Sequence, residues 1–93
     1  MVIIVIDDIF YKKLDYIDLH GYDRDMARVL TNDFINDSIV LKKDKIIIIH
    51  GIGNGIVRNS VHETLSKNKH VNEFWIDNNN AGITVVKLKL DKH

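Results

Sequence analysis

Apolar and polar residues follow a few distinct rhythms along this chain, and each rhythm predicts an element. Val2 to Ile6 is a short apolar run stopped by Asp7 and Asp8, and it reads as a strand. Tyr16 to His20 reads as a second strand. From Tyr22-Asp23 to about Val40 the spacing becomes helical: Met26, Leu30 and Phe34 recur four apart, with Ala27 and Val29 beside them. Asp23 suits the N-cap, because its carboxylate can accept from the free amides of the first turn, and Asp25 complements the helix dipole. The basic residues Lys42 and Lys43 follow the helix end. Lys45 to His50 contains four consecutive isoleucines, Ile46 to Ile49. So short and β-branched a run predicts a strand buried on both faces. A second helix is predicted from about Ile56 to Asn68 on the stripe Val57, Val61, Leu65. Val71 to Asp77 reads as a strand and Asn78 to Gly82 as a turn. Ile83 to Leu90 is the last predicted strand, with Val86, Leu88 and Leu90 on one face and Lys87 and Lys89 on the other.

From Tyr16 onward the order is strand, helix, strand, helix, strand, strand. This alternation predicts an α/β fold with right-handed crossovers and a largely parallel sheet, ending in a hairpin. The 93 residues fit one domain, residues 1–93, with a core at about 14–90 and an N-terminal extension at 1–13. Because Ile46 to Ile49 reads as covered on both faces, Val2 to Ile6 is expected to extend the sheet or shield its open face. A homodimer contact through the same segment would do that job equally.

Composition narrows the function. The chain is 45% hydrophobic and 28% charged, as a globular domain should be. It has no cysteine, which excludes structural disulfides and thiolate metal sites and points to a reducing, cytoplasmic setting. The opening apolar run lacks a basic flank and a cleavage site. It is also far shorter than the roughly 20 residues of a membrane span, so neither a signal peptide nor a membrane partner is expected. Formal net charge is zero, which argues against coating nucleic acid through a broad basic surface. Any phosphate must be held locally, or within a larger assembly.

Two segments carry candidate chemistry. If the Tyr16 and Lys45 strands are parallel, their C-terminal ends share one sheet edge, the edge that ligands of open α/β sheets favour. Both strands end in His-Gly, at His20-Gly21 and His50-Gly51. Asp18 and His20 are two apart and so share a strand face. A carboxylate beside an imidazole orients it for proton transfer near neutral pH. The same pair also fits a capping Asp and a packed His. After His50, the loop Gly51-Ile52-Gly53-Asn54-Gly55 leads straight into a helix. Its amides can turn toward an anion at the helix N-terminus, and Arg58 one turn on can complete a phosphate clamp. The glycines equally fit a turn that needs them only for backbone angles. The loop lacks the Gly-Lys-Ser/Thr of a P-loop and the third-glycine spacing of a dinucleotide fingerprint. His50 could join His20 and Asp18 around a divalent metal such as magnesium or manganese, although no tight ligand spacing marks such a site. His62, His70 and His93 read as surface or helix-end residues. Of Phe74 and Trp75, one belongs to the core, and an exposed Trp75 could stack on a base.

Taken in order, these motifs resemble the Smr (small MutS-related) domain family. Ile17-Asp18-Leu19-His20-Gly21 matches its opening Leu-Asp-x-His-Gly pattern, His50 to Gly55 its His-Gly-x-Gly-x-Gly signature, and Gly82-Ile83-Thr84-Val85-Val86 its final Gly-x-Thr strand. The match spans about Tyr16 to Leu90. The resemblance implies a two-layer α/β sandwich with a β-α-β-α-β-β core, like the C-terminal domain of translation initiation factor three. It implies nucleic-acid binding, with nicking or endonuclease activity on branched DNA or RNA. The resemblance gives Asp18 and His20 the catalytic role and Gly51, Gly53 and Gly55 the loop role, while His50, Asn54 and Arg58 join the candidate phosphate-binding set by their place in and beside the loop. Many members carry a basic residue where Ile52 stands and a threonine where Asn54 stands. Without them, a non-catalytic module docking on nucleic acid or the ribosome is the second reading. A protein-interaction domain that has kept the fold is the third.

Overall fold

The computed structural model describes residues 14–90, folded as four strands and two helices. They are β1 (Asp15–Asp18), α1 (Arg24–Val40), β2 (Lys45–Ile49), α2 (Ile56–Lys67), β3 (Val71–Asp77) and β4 (Asn80–Leu88). The strand predicted at Val2 to Ile6, the extension at 1–13 and His93 lie outside the described residues.

The sheet order is β1-β2-β4-β3. β1 and β2 are parallel, whereas β4 pairs antiparallel with both β2 and β3. The expectation of a largely parallel sheet is therefore corrected. β1, β2 and β3 all run the same way, but the β3–β4 hairpin folds back and inserts β4 between β2 and β3. Only one of the three pairings stays parallel. The reason is that β4, and not β3, lies beside β2, so the returning strand of the hairpin makes two antiparallel pairings. Asp77 pairs with Asn80, leaving Asn78 and Asn79 as a two-residue connection instead of the five-residue turn read from the sequence. Asp77 accepts the Asn79 amide at 3.0 Å and tightens it. So short a connection forces antiparallel pairing.

Both helices lie on one face. Ile35 of α1 and Val61 and Leu65 of α2 pack with Leu19, Ile46, Ile48, Val86 and Leu88. The opposite face carries a smaller cluster of Ile47, Ile83 and Val85, flanked by Leu14 and Ile49. The isoleucine strand is thus buried on both sides, as its sequence predicts. Whether Val2 to Ile6 shields the second face, or a dimer does, concerns residues beyond those described.

α1 begins where expected. Asp23 caps it, accepting the Met26 amide at 2.8 Å, with Asp25 in the first turn. Its end is a left-handed Lys42, φ 62°, from which Lys43 donates to the Ser38 carbonyl at 2.9 Å. Its inner face differs from the predicted stripe by one position. Ala27, Thr31, Ile35 and Ser38 are buried, Leu30 and Phe34 are half-buried, and Met26 and Val29 are exposed. Small residues win the interior because α1 must also lie against α2. Ser60 Oγ of α2 donates to the Arg24 carbonyl at 2.7 Å, and Asn68 Nδ2 to Asn32 Oδ1 at 3.0 Å. These two contacts pair residues in the same order along both helices, so the helices run parallel. α2 keeps its predicted stripe: Val61 and Leu65 are buried and Val57 packs against them.

The Thr31 hydroxyl is fully buried without a hydrogen-bond partner among the described residues. A buried unsatisfied hydroxyl costs about 1–3 kcal/mol. Thr31→Val, which keeps the shape and removes that cost, is expected to stabilise the domain by about 1 kcal/mol. Urea unfolding at neutral pH checks this, and a loss of stability would contradict it.

Candidate functional site

The site forms at the C-terminal ends of β1 and β2. Parallel pairing in the register Asp18–Ile49 carries both strands to the same edge, and the Leu19 amide extends the ladder to the Ile49 carbonyl at 2.7 Å. Gly51 then passes between two neighbours. A Cβ placed on it would lie 3.0 Å from the His20 Cβ, and its φ of +82° is a left-handed value that suits glycine. On the other side Gly82 of β4 approaches so closely that a Cβ there would lie 3.2 Å from the Gly51 backbone. The Gly82 carbonyl accepts both the His50 and the Gly51 amides, at 2.9 and 3.0 Å. All three sequence motifs therefore meet at Gly51.

Asp18 and His20 form a true pair. Asp18 Oδ1 accepts the His20 backbone amide at 3.1 Å and lies 2.7 Å from His20 Nδ1. A carboxylate can only accept, so Nδ1 carries the proton and Nε2 presents its lone pair outward. The His20 side chain is 72% exposed, which sets it apart from a histidine packed on the sheet.

The glycine loop reaches outward beyond Gly51. Its apex is open: a Cβ on Gly53 would meet nothing within 4 Å, and Ile52 is 81% exposed. Asn54 Oδ1 accepts the Ile56 amide at 3.1 Å and so caps α2. Among the described residues no hydrogen bond engages the amides of Ile52, Gly53, Asn54 or Gly55. Arg58 folds back over the loop, and its guanidinium lies where a Gly55 Cβ would be, 2.7 Å away; Gly55 has φ +86°.

His50 faces the other way. It is 4% exposed, and both ring nitrogens are engaged. Nδ1 lies 3.1 Å from the Gly51 carbonyl and Nε2 lies 2.8 Å from Thr84 Oγ1. His62 Nε2 contacts the same hydroxyl at 2.8 Å. Donor counting orders the chain. The Gly51 carbonyl only accepts, so His50 carries its proton on Nδ1. His50 Nε2 then accepts from the Thr84 hydroxyl, whose oxygen accepts from His62 Nε2–H. The two rings meet edge-on at 5.7 Å, and His62 also packs on Phe74 at 5.1 Å. The expectation of a surface His62 is corrected: α2 turns it inward over β4. Its sequence signal was slight, since the Thr84 that partners it is one polar residue set between apolar Ile83 and Val85. Phe74 takes the half-buried place and Trp75 is 39% exposed.

Burial lowers the pKa of both histidines. For His50 the Gly51 carbonyl opposes the shift and the Arg58 charge adds to it; for His62 the charges of His50 and Arg58 add to it. Asp18, His20 and His50 do not converge as ligands. Among the described residues no three His, Cys, Asp or Glu side chains are placed to hold a metal ion. No helix of the described residues is long and apolar enough to cross a membrane.

Known proteins resemble this chain in sequence and in fold. The family model described as Smr domain matches residues 17–89. The chain is 34% identical over 76 residues to an Endonuclease MutS2 of Clostridium acetobutylicum, covering 78% of this chain and 10% of that protein. It is 36% identical over 66 residues to the Endonuclease MutS2 of Streptococcus gordonii, covering 71% of this chain and 8% of that one. The chain thus spans about a tenth of the length of these curated relatives. The crystal structure of the Smr domain of Thermus thermophilus MutS2 superposes with a TM-score of 0.79 at 25% identity, covering 82% of this chain and 99% of that one. YdaL, a stand-alone small MutS-related protein from Escherichia coli, shares the fold with a TM-score of 0.77 at 21% identity, covering 83% of this chain and 66% of that one.

Two outcomes follow from the site's construction. Gly51→Ala combines a left-handed backbone with a side chain pressed on His20, and is expected to cost about 2–4 kcal/mol; thermal and urea unfolding measure it. The neutral histidines make stability depend on pH. Their folded pKa values lie below the ordinary 6.5, so the unfolded chain takes up protons first as pH falls. The stabilisation is complete above 6.5 and is lost as pH falls from 6.5 toward the folded values. Urea midpoints between about pH 7.5 and about pH 5.5 should decline, and a flat profile would refute this linkage.

Proposed function

The chain belongs to the Smr domain family, and from that premise we propose that it binds nucleic acid at the β1–β2 edge and cleaves a phosphodiester bond there. The observation that carries the proposal is the exposed His20, held by Asp18 at 2.7 Å and pressed against the glycine loop at Gly51. The scissile phosphate sits over the loop, where the four free amides at positions 52–55 and the Arg58 guanidinium meet its oxygens. His20 Nε2 takes a proton from the attacking water as its oxygen bonds to phosphorus. The bond from phosphorus to the leaving oxygen breaks on the opposite side, and that oxygen takes a proton from solvent. Asp18 holds the ring in the required tautomer and stabilises the imidazolium, which returns its proton to solvent. His50 acts through the backbone, because its Nδ1 anchors the Gly51 carbonyl.

The test is incubation of the purified domain with branched DNA and with structured RNA, with and without magnesium or manganese. His20→Ala should slow product formation by about 100-fold or more. An identical product pattern from wild type and His20→Ala would remove His20 from the chemistry.

A second reading rests on Ile52. Its apolar side chain, 81% exposed, stands at the loop apex where a cation would meet phosphate. A docking module without catalysis, on branched nucleic acid or on the ribosome, accounts for that residue. It predicts salt-sensitive binding with no cleavage under any metal.

A further inference from the structure

A second polar surface opens on the solvent side of the helices. α1 and α2 border a groove of about 740 Å³. Its floor is made of small polar residues, Ser60 and Thr64, both nearly buried. Their hydroxyls are already committed, Ser60 to the Arg24 carbonyl and Thr64 to the Ser60 carbonyl. The floor therefore holds the helices together, and the walls are left to meet a ligand.

The walls carry Arg24, Arg28, Lys67 and Lys69 against Asp25 and Glu63. Lys67 and Glu63 neutralise one another across 3.2 Å. Arg24, Arg28 and Lys69 form no ion pair among the described residues and are exposed. Set against Asp25 alone, they leave a local positive excess in a chain whose net charge is zero.

Folding does not account for these arginines. Arg24 occupies the first position of α1, where a cation opposes the helix dipole. Arg28, four residues on, adds a like charge on the same side of the helix, an unfavourable i, i+4 pair. Each placement costs the helix a little and no ion pair returns it. Arginine forks with amide side chains beside them suit phosphate oxygens, which they can meet bidentately.

We propose that this interhelical groove binds the phosphodiester backbone of nucleic acid, as a second contact distinct from the glycine loop. The groove begins at Arg24, immediately after the turn that carries His20, and runs along the parallel helices to Lys69. From Arg24 to Asn32 it spans roughly 12 Å at 1.5 Å per residue. A strand held at the loop edge continues over Arg24 into the groove. The inference extends the nucleic-acid reading above and shares its premise of nucleic-acid binding.

Fluorescence anisotropy with labelled single-stranded and branched DNA and with RNA, from about 50 to about 200 mM salt, tests it. The variants are Arg24→Gln/Arg28→Gln, Arg58→Gln at the loop, and Lys45→Gln/Lys87→Gln on the far side of the sheet. Melting curves check that each is folded. The groove double variant should weaken binding to all sequences alike and reduce the slope of log K against log salt by roughly 1.5 to 2. The far-side variant should change the slope less. Wild-type affinity and slope in the groove variant, with weakened binding in Arg58→Gln, would overturn the groove and leave the loop reading standing. Equal weakening by the far-side variant would assign the effect to net charge and overturn the groove. Polyglutamate competing as well as DNA would overturn the ligand class in favour of an acidic polypeptide. No binding by wild type would overturn both readings.

Discussion

Gly51 is the position on which the rest of the site depends. Three pieces of chain distant in sequence touch it: His20 from the end of β1, Gly82 from β4, and the His50 ring through the Gly51 carbonyl. A side chain there would press on the His20 Cβ and sit on a left-handed backbone, while the close approach of Gly51 excludes a side chain at Gly82 in turn. This one close approach turns two strand-end segments into a single surface. It brings the exposed Asp18–His20 pair beside the loop whose amides are free. It also closes the inner side of the site, while the loop apex and the Asp18–His20 pair face solvent.

A rigid support lies behind that contact. The Gly82 carbonyl bonds two successive amides, and Thr84, two residues further along β4, joins His50 to His62. The loop is thus tied to the centre of the sheet and to α2 by hydrogen bonds whose direction follows from donor counting alone. Placing β4 in the middle of the sheet is what makes this possible. A loop leaving an edge strand would have no such backing. The buried polar chain costs desolvation, and the neutral state of both imidazoles keeps that cost low.

The two helices divide their duties along the same line. Their inner faces build the core over Ile46, Ile48 and Val86. Their N-termini frame the β1–β2 edge, and Arg58 returns from α2 over Gly55. Their outer flanks carry cations that the fold does not use. A chain with zero net charge can therefore still present a local positive excess, because its charges are sorted by position and not by total.

Local patterns in the sequence were sufficient for most elements. Asp23 announced the start of α1 through its side-chain cap, Val57, Val61 and Leu65 set the inner face of α2, and the run Ile46 to Ile49 could only be a strand covered on both sides. The ordered motifs at Asp18 to Gly21, His50 to Gly55 and Gly82 to Val86 were enough to recognise the family. These signals are short-range, so one stretch of chain contains all the information they need. The rest depended on tertiary structure. Strand order was not legible, because a β3–β4 hairpin does not itself say which of its two strands lies beside β2, and the pairing of β4 with β2 decides it. The inner stripe of α1 moved to Ala27, Thr31 and Ile35, because a second helix competes with the sheet for the same face. His50 and His62 exchanged their expected roles for a buried chain through Thr84, and the groove cations drew meaning only from the parallel packing of α1 on α2. Each of these depends on contacts between residues far apart in sequence: His62 and Thr84 are 22 apart, and Arg24 and Ser60 are 36 apart.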